Sequence, residues 1–296
     1  MKTFRSGLVA LAGRPNVGKS TLANALAGRH VAAVSPRPQT TRRRVSAVVH
    51  GDGWQAVLLD LPGFQKPNDR LTERMQRTVD QTLADVDVAL FVLNAAEEPG
   101  GGDRFIAQRL RASGLPVLVA LNQVDRLDPA HIARAIEHAA PLVDFVALHP
   151  VSALREQGLT DLTRDLQALL PEGPAYFPAG VATDQTDEEL TAEIIREAAL
   201  QRLRDEVPHS LAVAIEEIEP AGPGGRERVV RAAILVEHES QKGIVVGRGG
   251  QMVRAIGTAA RETLTLLFGT PVHVDLMVKV RKRWRRDEAT LDRLGL

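Results

Sequence analysis

Along the first 170 or so residues, short apolar runs alternate with amphipathic stretches,. Leu8–Ala12, Val57–Asp60, Val88–Leu93, Val117–Leu121 and Phe145–His149 are brief and rich in Val, Leu and Ala, the pattern of strands buried on both faces,. Between them Ser20–Ala27, Arg70–Ala84, Asp103–Ala112 and Pro129–His138 repeat apolar positions at helical spacing,. Strands alternating with helices predict an α/β fold on a mainly parallel sheet. Val45–His50, a turn at Gly51-Asp-Gly53, and the run from Trp54 predict an antiparallel hairpin at one edge of that sheet,.

Pro171-Glu-Gly-Pro-Ala-Tyr-Phe-Pro178 breaks the alternation and marks a linker,. We therefore expect a first domain over residues 1–172, a linker over 173–185 and a smaller α+β domain over 186–296. Thr186-Asp-Glu-Glu189 has the spacing of a capping box, opening a helix expected to run to Val207 and stop at Pro208,. Ser210–Ile218 and Arg228–His238 alternate like strands, joined by the loop Gly222-Pro-Gly-Gly225,. A short helix, a glycine loop, a helix over Gln251–Phe268 and a last strand over Val272–Val280 complete the order.

Composition adds little that is specific. Of the 296 residues, 44% are hydrophobic and 25% charged, enough for two ordinary soluble cores,. Aromatics are only 3%, so those cores must be aliphatic. The absence of cysteine excludes disulfides, thiolate catalysis and Cys-ligated metals,. No stretch approaches the roughly 18 apolar residues of a membrane-crossing helix, and Gly7–Ala12 is too short for a signal core,. A cytoplasmic protein and a monomer are expected, with peripheral contact at the inner face of the cell membrane left open. Net charge is zero, but Lys279-Val-Arg-Lys-Arg-Trp-Arg-Arg286 is a basic cluster. It reads either as a nucleic-acid or membrane footprint or as a solvated terminal face.

The chemistry lies in loops that end strands. Gly13-Arg14-Pro15-Asn16-Val17-Gly18-Lys19-Ser20 follows an apolar strand and opens a helix, the context of a P-loop,. Its backbone N–H groups converge on phosphate oxygens, helped by the helix N-terminus. Lys19 is placed for the β- and γ-phosphates, and Ser20, followed by Thr21, for magnesium. Asp60-Leu61-Pro62-Gly63 ends another strand: the carboxylate is a second magnesium anchor, and the Gly63 N–H faces the γ-phosphate. Between the first helix and the hairpin, Arg37-Pro-Gln-Thr40-Thr41-Arg42 offers a threonine that ligates magnesium only with the triphosphate bound; Thr41 is favoured over Thr40.

Asn122-Gln123-Val124-Asp125 follows the strand Val117–Leu121. Asp125 can accept two N–H bonds from the Watson–Crick edge of guanine, which adenine cannot supply, and this argues against an ATPase. Ser152-Ala153 completes the set, with the Ala153 N–H expected on the guanine carbonyl. The expected cofactors are GTP or GDP and Mg2+, with K+ a candidate at Asn16.

Together these motifs resemble the translation-factor class of GTPases. The spelling of Gly13–Ser20, the Gln-Thr40-Thr41-Arg42 segment and the second domain resemble the Era family over nearly the whole chain. Two positions depart from the wider pattern. Gln123 stands where lysine is usual, which alters a packing contact with the base and P-loop. Phe64 stands where Ras-type enzymes keep a glutamine that orients water.

In the second domain, Val245-Val-Gly247-Arg248-Gly249-Gly250 lies between two helices with Lys242 nearby. That arrangement resembles the loop by which KH domains clamp a single-stranded nucleic-acid backbone. Lys242, Gly247, Arg248, Gly249 and Gly250 are the candidate RNA contacts, with Lys279, Arg281 and Arg283 in the basic cluster. The apolar positions of Gln251–Phe268 read as core rather than as a base platform, and Trp284 could stack on a base or close the core. The Era resemblance implies a GTP-hydrolysing switch that binds ribosomal RNA near the 3′ end of the small-subunit RNA and acts in small-subunit assembly. The competing reading is a signalling GTPase whose KH-like domain docks proteins or membranes.

Overall fold

The computed structural model describes residues 3–35, 37, 40–63, 68–204, 207–219 and 227–296. Phe64, and the loop Gly222–Gly225, lie outside the described residues. The chain divides into two compact units, one of Met1–Ala32, Thr41–Lys66 and Met75–Asp184, the other of Ala33–Thr40, Pro67–Arg74 and Gln185–Leu296.

The first unit is built on β1 (Arg5–Ala12), β2 (Val45–Gly51), β3 (Trp54–Asp60), β4 (Val88–Asn94), β5 (Val117–Asn122) and β6 (Ala147–Pro150). They form one sheet in the order β2-β3-β1-β4-β5-β6, parallel except for the β2–β3 hairpin. The helices are α1 (Lys19–Ala27), α2 (Arg70–Ala84), α3 (Gly101–Ser113), α4 (Pro129–Ala139) and α5 (Leu159–Leu169). Successive residues of β1 enter different cores: Val9 and Leu11 pack on one face, Ala10 and Ala12 on the other. That two-sided burial explains why β1 reads as an unbroken apolar run. In register, Leu11 lies opposite Asp60 and Asn94 opposite Asn122, so the loops that leave β1, β3 and β5 open at the same end of the sheet. This is where open α/β sheets bind ligands.

The proline-rich stretch is held rather than loose. The Ser6 hydroxyl donates to Pro174 O at 2.6 Å, and Val48 N–H donates to Ala182 O at 2.8 Å. The Gln55 side chain receives the N–H groups of Tyr176 and Phe177 and donates to Phe177 O.

The second unit carries α6 (Asp187–Arg202), α7 (Val207–Ser210), β7 (Ala212–Glu219), β8 (Arg228–Val236), α8 (Glu239–Val246), α9 (Gln251–Phe268), β9 (Val272–Val280) and α10 (Glu288–Arg293). Its sheet runs β7-β8-β9, with β7–β8 antiparallel and β8–β9 parallel. Along β9 exposed residues alternate with less exposed ones, the pattern of a sheet covered by helices on one face only,. Ile194, Ile195 and Ala198 of α6 meet Ile256, Ala260 and Leu264 of α9 in the core. The capping box is present: Glu189 N–H donates to Thr186 Oγ1, and Thr186 N–H donates back to Glu189 Oε2.

One expectation is corrected here, and one open alternative is decided. α6 ends at Arg202, not near Val207, because Leu203 turns extended to bury its side chain. Pro208 does not stop that helix but sits in the first turn of α7, where its missing N–H costs nothing,. Trp284 is fully buried, and its indole N–H donates to Ser210 O at 2.7 Å, so it closes the core and has no face free for a base,.

Candidate functional site

The P-loop leaves β1 at Ala12 and re-enters regular structure at Lys19. Two glycines make its path possible. A Cβ on Gly13 would stand 2.4 Å from Val92 O, and one on Gly18, whose φ is +96°, would stand 2.3 Å from Asn122 Nδ2. The Lys19 ammonium donates to the carbonyls of Gly13 and Arg14, each at 3.0 Å, and only 7% of the residue is exposed. Burial lowers its pKa, against the opposing pull of Asp60. A buried cation on neutral carbonyls favours an anion such as phosphate.

Beside it, three oxygens meet. The Ser20 hydroxyl donates to Asp60 Oδ2 at 2.6 Å, and the Thr41 hydroxyl donates to the same oxygen at 2.9 Å. The two hydroxyls are 3.1 Å apart. Ligands about 2.1 Å from a magnesium ion in octahedral geometry stand roughly 3 Å from one another, so this all-oxygen cluster fits that cation. Thr40 is turned away, its hydroxyl donating to Arg37 O at 2.7 Å. Gly63 lies against Pro15 of the P-loop, where a Cβ would stand 2.8 Å from Pro15 Cγ.

At the other end of the P-loop, the Asn122 amide donates to Val17 O at 2.9 Å while its oxygen accepts the Ala153 N–H at 2.9 Å. One buried side chain thus joins the P-loop to the 150s loop. Asp125 is exposed, and Ser152 Oγ donates to its Oδ1 at 2.6 Å, holding the carboxylate while leaving acceptor sites for two donors,.

In the second unit, α8 ends at Val246 and is capped by Gly247, and Gly249 and Gly250 follow with φ of +58° and +78°. A Cβ on Gly247 would press within 2.7 Å of Met252 Cβ, whereas Gly249 and Gly250 face open space. Arg248 and Gly249 are exposed at the tip. The loop leads into a groove of about 330 Å3 between α9 and β9, whose lining includes Gly250, Arg254, Thr258, Arg261, His273 and Leu276.

Residues 8–123 match the family described as 50S ribosome-binding GTPase, and residues 206–285 match the KH domain. The GTPase Era of Heliobacterium modesticaldum is 43% identical over 295 residues, covering 100% of this chain and 98% of that protein. The GTPase Era of Mycobacterium tuberculosis is 46% identical over 301 residues, covering 100% of each. The chain belongs to the Era family of GTPases. Its reaction is GTP and water to GDP and phosphate. Two solved Era structures superpose on it at 37% identity, each covering 99% of both chains. One, an Aquifex aeolicus Era variant bound to GDP and aluminium fluoride, gives a TM-score of 0.93. The other, Era with MgGDPNP and nucleotides 1506–1542 of 16S ribosomal RNA, gives 0.92.

Within this Era-family site several expected residues take different parts. The Arg14 side chain does not join Lys19 at the phosphate position: its Nη2 pairs with Glu97 and its Nε with Asp103, both at 2.8 Å. Burial would lower the Arg14 pKa, but those carboxylates raise it. Val17 and Leu61 are buried in the core and serve the site through their backbones. The Ala153 N–H, expected on the guanine carbonyl, donates here to Asn122 Oδ1. Gln123 Nε2 donates to Asn16 O at 3.1 Å, so the residue in place of lysine still touches the P-loop, by a hydrogen bond.

In the basic cluster, Lys279 pairs with Glu216, and Arg281 pairs with Asp287 at 3.1 Å. Of the three basic contacts expected there, only Arg283 shows no carboxylate partner among the described residues. Sequence reasoning misses Arg254 and Arg261. Their signal is present, since positions 250, 254, 257, 258 and 261 follow a helical stripe that continues the glycine loop,.

Proposed function

We propose that this GTPase binds the 3′ end of small-subunit ribosomal RNA through the second unit and acts in assembly of the small subunit. The observation that carries this reading is the glycine loop running directly into a groove flanked by Arg254 and Arg261. The loop gives phosphates close approach to backbone, and the groove gives unstacked bases an apolar wall with cations at its rim. Support comes from the Era structure solved with 16S ribosomal RNA, similar over 99% of both chains. Bound Mg2+ supplies charge neutralisation on the phosphates, with Ser20, Thr41 and Asp60 holding it. Lys19 and the P-loop amides hold the phosphates, and Asp125 selects the base. We further place K+ at Asn16, the exposed P-loop residue, as a second cation near the phosphates. We keep the domains as 1–172 and 186–296 with the linker 173–185, and place the protein in the cytoplasm. No helix among the described residues is long and apolar enough to cross a membrane.

Crosslinking in cells followed by sequencing of the bound RNA tests the proposal. Reads should concentrate at the 3′ end of the small-subunit RNA. Scattered reads, together with salt-sensitive binding of the purified protein to anionic vesicles, would replace it with the docking reading.

A further inference from the structure

Arg14 is the second residue of the P-loop, and its side chain leaves the loop for the first turn of α3. Its Nε stands 2.8 Å from Asp103 Oδ2, and its Nη2 stands 2.8 Å from Glu97 Oε2. Asp103 is only 1% exposed, and the same Oδ2 accepts the Gly100 N–H at 2.8 Å, so the start of the helix fixes that carboxylate. Glu97 is fixed in turn by Asn94, whose amide donates to Oε1 at 2.8 Å. The Arg14 stem lies against Gly102, where a Cβ would stand 2.8 Å from Arg14 Cδ. All of these residues belong to the first compact unit.

A buried ion pair is a poor source of stability, because desolvation offsets most of the attraction. What this one fixes is direction: a guanidinium held by two carboxylates has one orientation. The backbone beyond it has little freedom left. Pro15 restricts Arg14 to extended backbone and locks its own φ. The chain then reaches Asn16, which turns with φ +66°, a left-handed conformation that is costly for a residue other than glycine,.

Such a turn persists only where its surroundings over-determine it. Its far side is held by Gln123 on Asn16 O and by Asn122 on Val17 O. Its near side is held through Arg14, whose own carbonyl also accepts from the Lys19 ammonium. We propose that Arg14, gripped by Asp103, is a positioning residue that keeps the P-loop in its phosphate-binding shape before the nucleotide arrives. This rests on the reading of Gly13–Ser20 as the phosphate loop.

The test uses the full-length protein as wild type, Lys19→Ala, Arg14→Lys, Ile106→Val, and the double variant Arg14→Met with Asp103→Asn, which removes the pair without leaving a buried charge. Ile106→Val loosens α3 in the core and leaves the pair intact. The readouts are association and dissociation rates of a fluorescent GDP analogue, KM and kcat for GTP, and stability to denaturant. A loop that is competent for only a fraction of the time lowers apparent affinity by that fraction. The double variant should therefore associate about fivefold more slowly or worse and raise KM in proportion, with dissociation and kcat changed far less. Arg14→Lys should fall between, since an ammonium keeps the charge without the fork. Ile106→Val should lose stability without slower association. Wild-type association in the double variant, while Lys19→Ala weakens GDP, overturns the positioning role and leaves the phosphate-loop reading intact. Wild-type GDP affinity in Lys19→Ala overturns both. Equal slowing in Ile106→Val and the double variant overturns the proposal, because a merely structural role would then explain it. A loss carried by faster dissociation overturns it too, because the pair would then act on bound nucleotide and not on the waiting loop.

Discussion

Replacing Gly249 by aspartate isolates the nucleic-acid function from the fold. Gly249 has φ +58°, a conformation aspartate tolerates better than most residues, and a Cβ there meets nothing within 4 Å,. The folded state should therefore lose about 1–2 kcal/mol from the left-handed backbone and nothing from crowding,. Against RNA two further effects add. A carboxylate placed about 4 Å from a phosphate in water repels it by roughly 1 kcal/mol, and more where the pair is partly desolvated. Its bulk also holds the strand off the loop N–H groups, at a further cost of about 0.5–1.5 kcal/mol for every hydrogen bond that fails to form. Together these predict at least a tenfold weakening, about 1.4 kcal/mol. Each phosphate that the strand no longer seats on the protein should also lower the slope of log affinity against log salt by about 0.7. Gly269, beyond the far end of α9, is the control: its φ is +65° and its Cβ direction is equally open. Fluorescence anisotropy on a labelled single-stranded fragment of the small-subunit 3′ end measures both variants, with GTP turnover in the absence of RNA expected unchanged. Equal weakening at Gly249 and Gly269 would refute the reasoning, as would full affinity in Gly249→Asp.

Asp125→Asn should weaken GTP by at least tenfold and favour xanthosine triphosphate, read by competition binding. Equal affinity of the wild type for ATP and GTP would remove the guanine assignment. Lys19→Ala and Ser20→Ala should abolish turnover, and chelating Mg2+ should do the same to the wild type, while circular dichroism shows the fold retained; normal turnover in both variants would contradict the phosphate and metal roles. Turnover should be faster in K+ than in Na+ at equal ionic strength, and equal rates would discard the cation placed at Asn16. Trp284→Ala should cost about 3–5 kcal/mol of stability by leaving a cavity in the second unit, measured by denaturant unfolding. Any RNA defect in that variant should then track its unfolded fraction and not stacking.

The parts of this molecule legible in the sequence are those whose signal is local. β1 and the loop to Ser20 are readable because an apolar run, glycines at fixed offsets and a helix start all fall within one short stretch. The capping box at Thr186 and the helix Gln251–Phe268 are readable for the same reason: a helix start and a helical stripe need only near neighbours. The end of α6 is not readable, because tertiary burial of Leu203 overrides the local signal of Pro208.

The side-chain partnerships are not legible, because each joins positions far apart in the chain. Arg14 sits inside a phosphate-binding motif, and nothing nearby says that Asp103 and Glu97 will claim it. Asn122 and Ala153 each read as site residues, but that one holds the other requires the parallel register of β5 and β6. The same reasoning separates the basic residues of the second unit. Counted along the chain, Lys279 and Arg281 look like RNA contacts, whereas Arg254 and Arg261 look like ordinary solvent-facing helix positions. Folding adds to the count: Lys279 and Arg281 stand exposed beside Glu216 and Asp287, while Arg254 and Arg261 line a groove continuous with the glycine loop. Charge density in a sequence therefore measures how many cations are nearby, but only the fold decides which of them line a groove that a strand could follow.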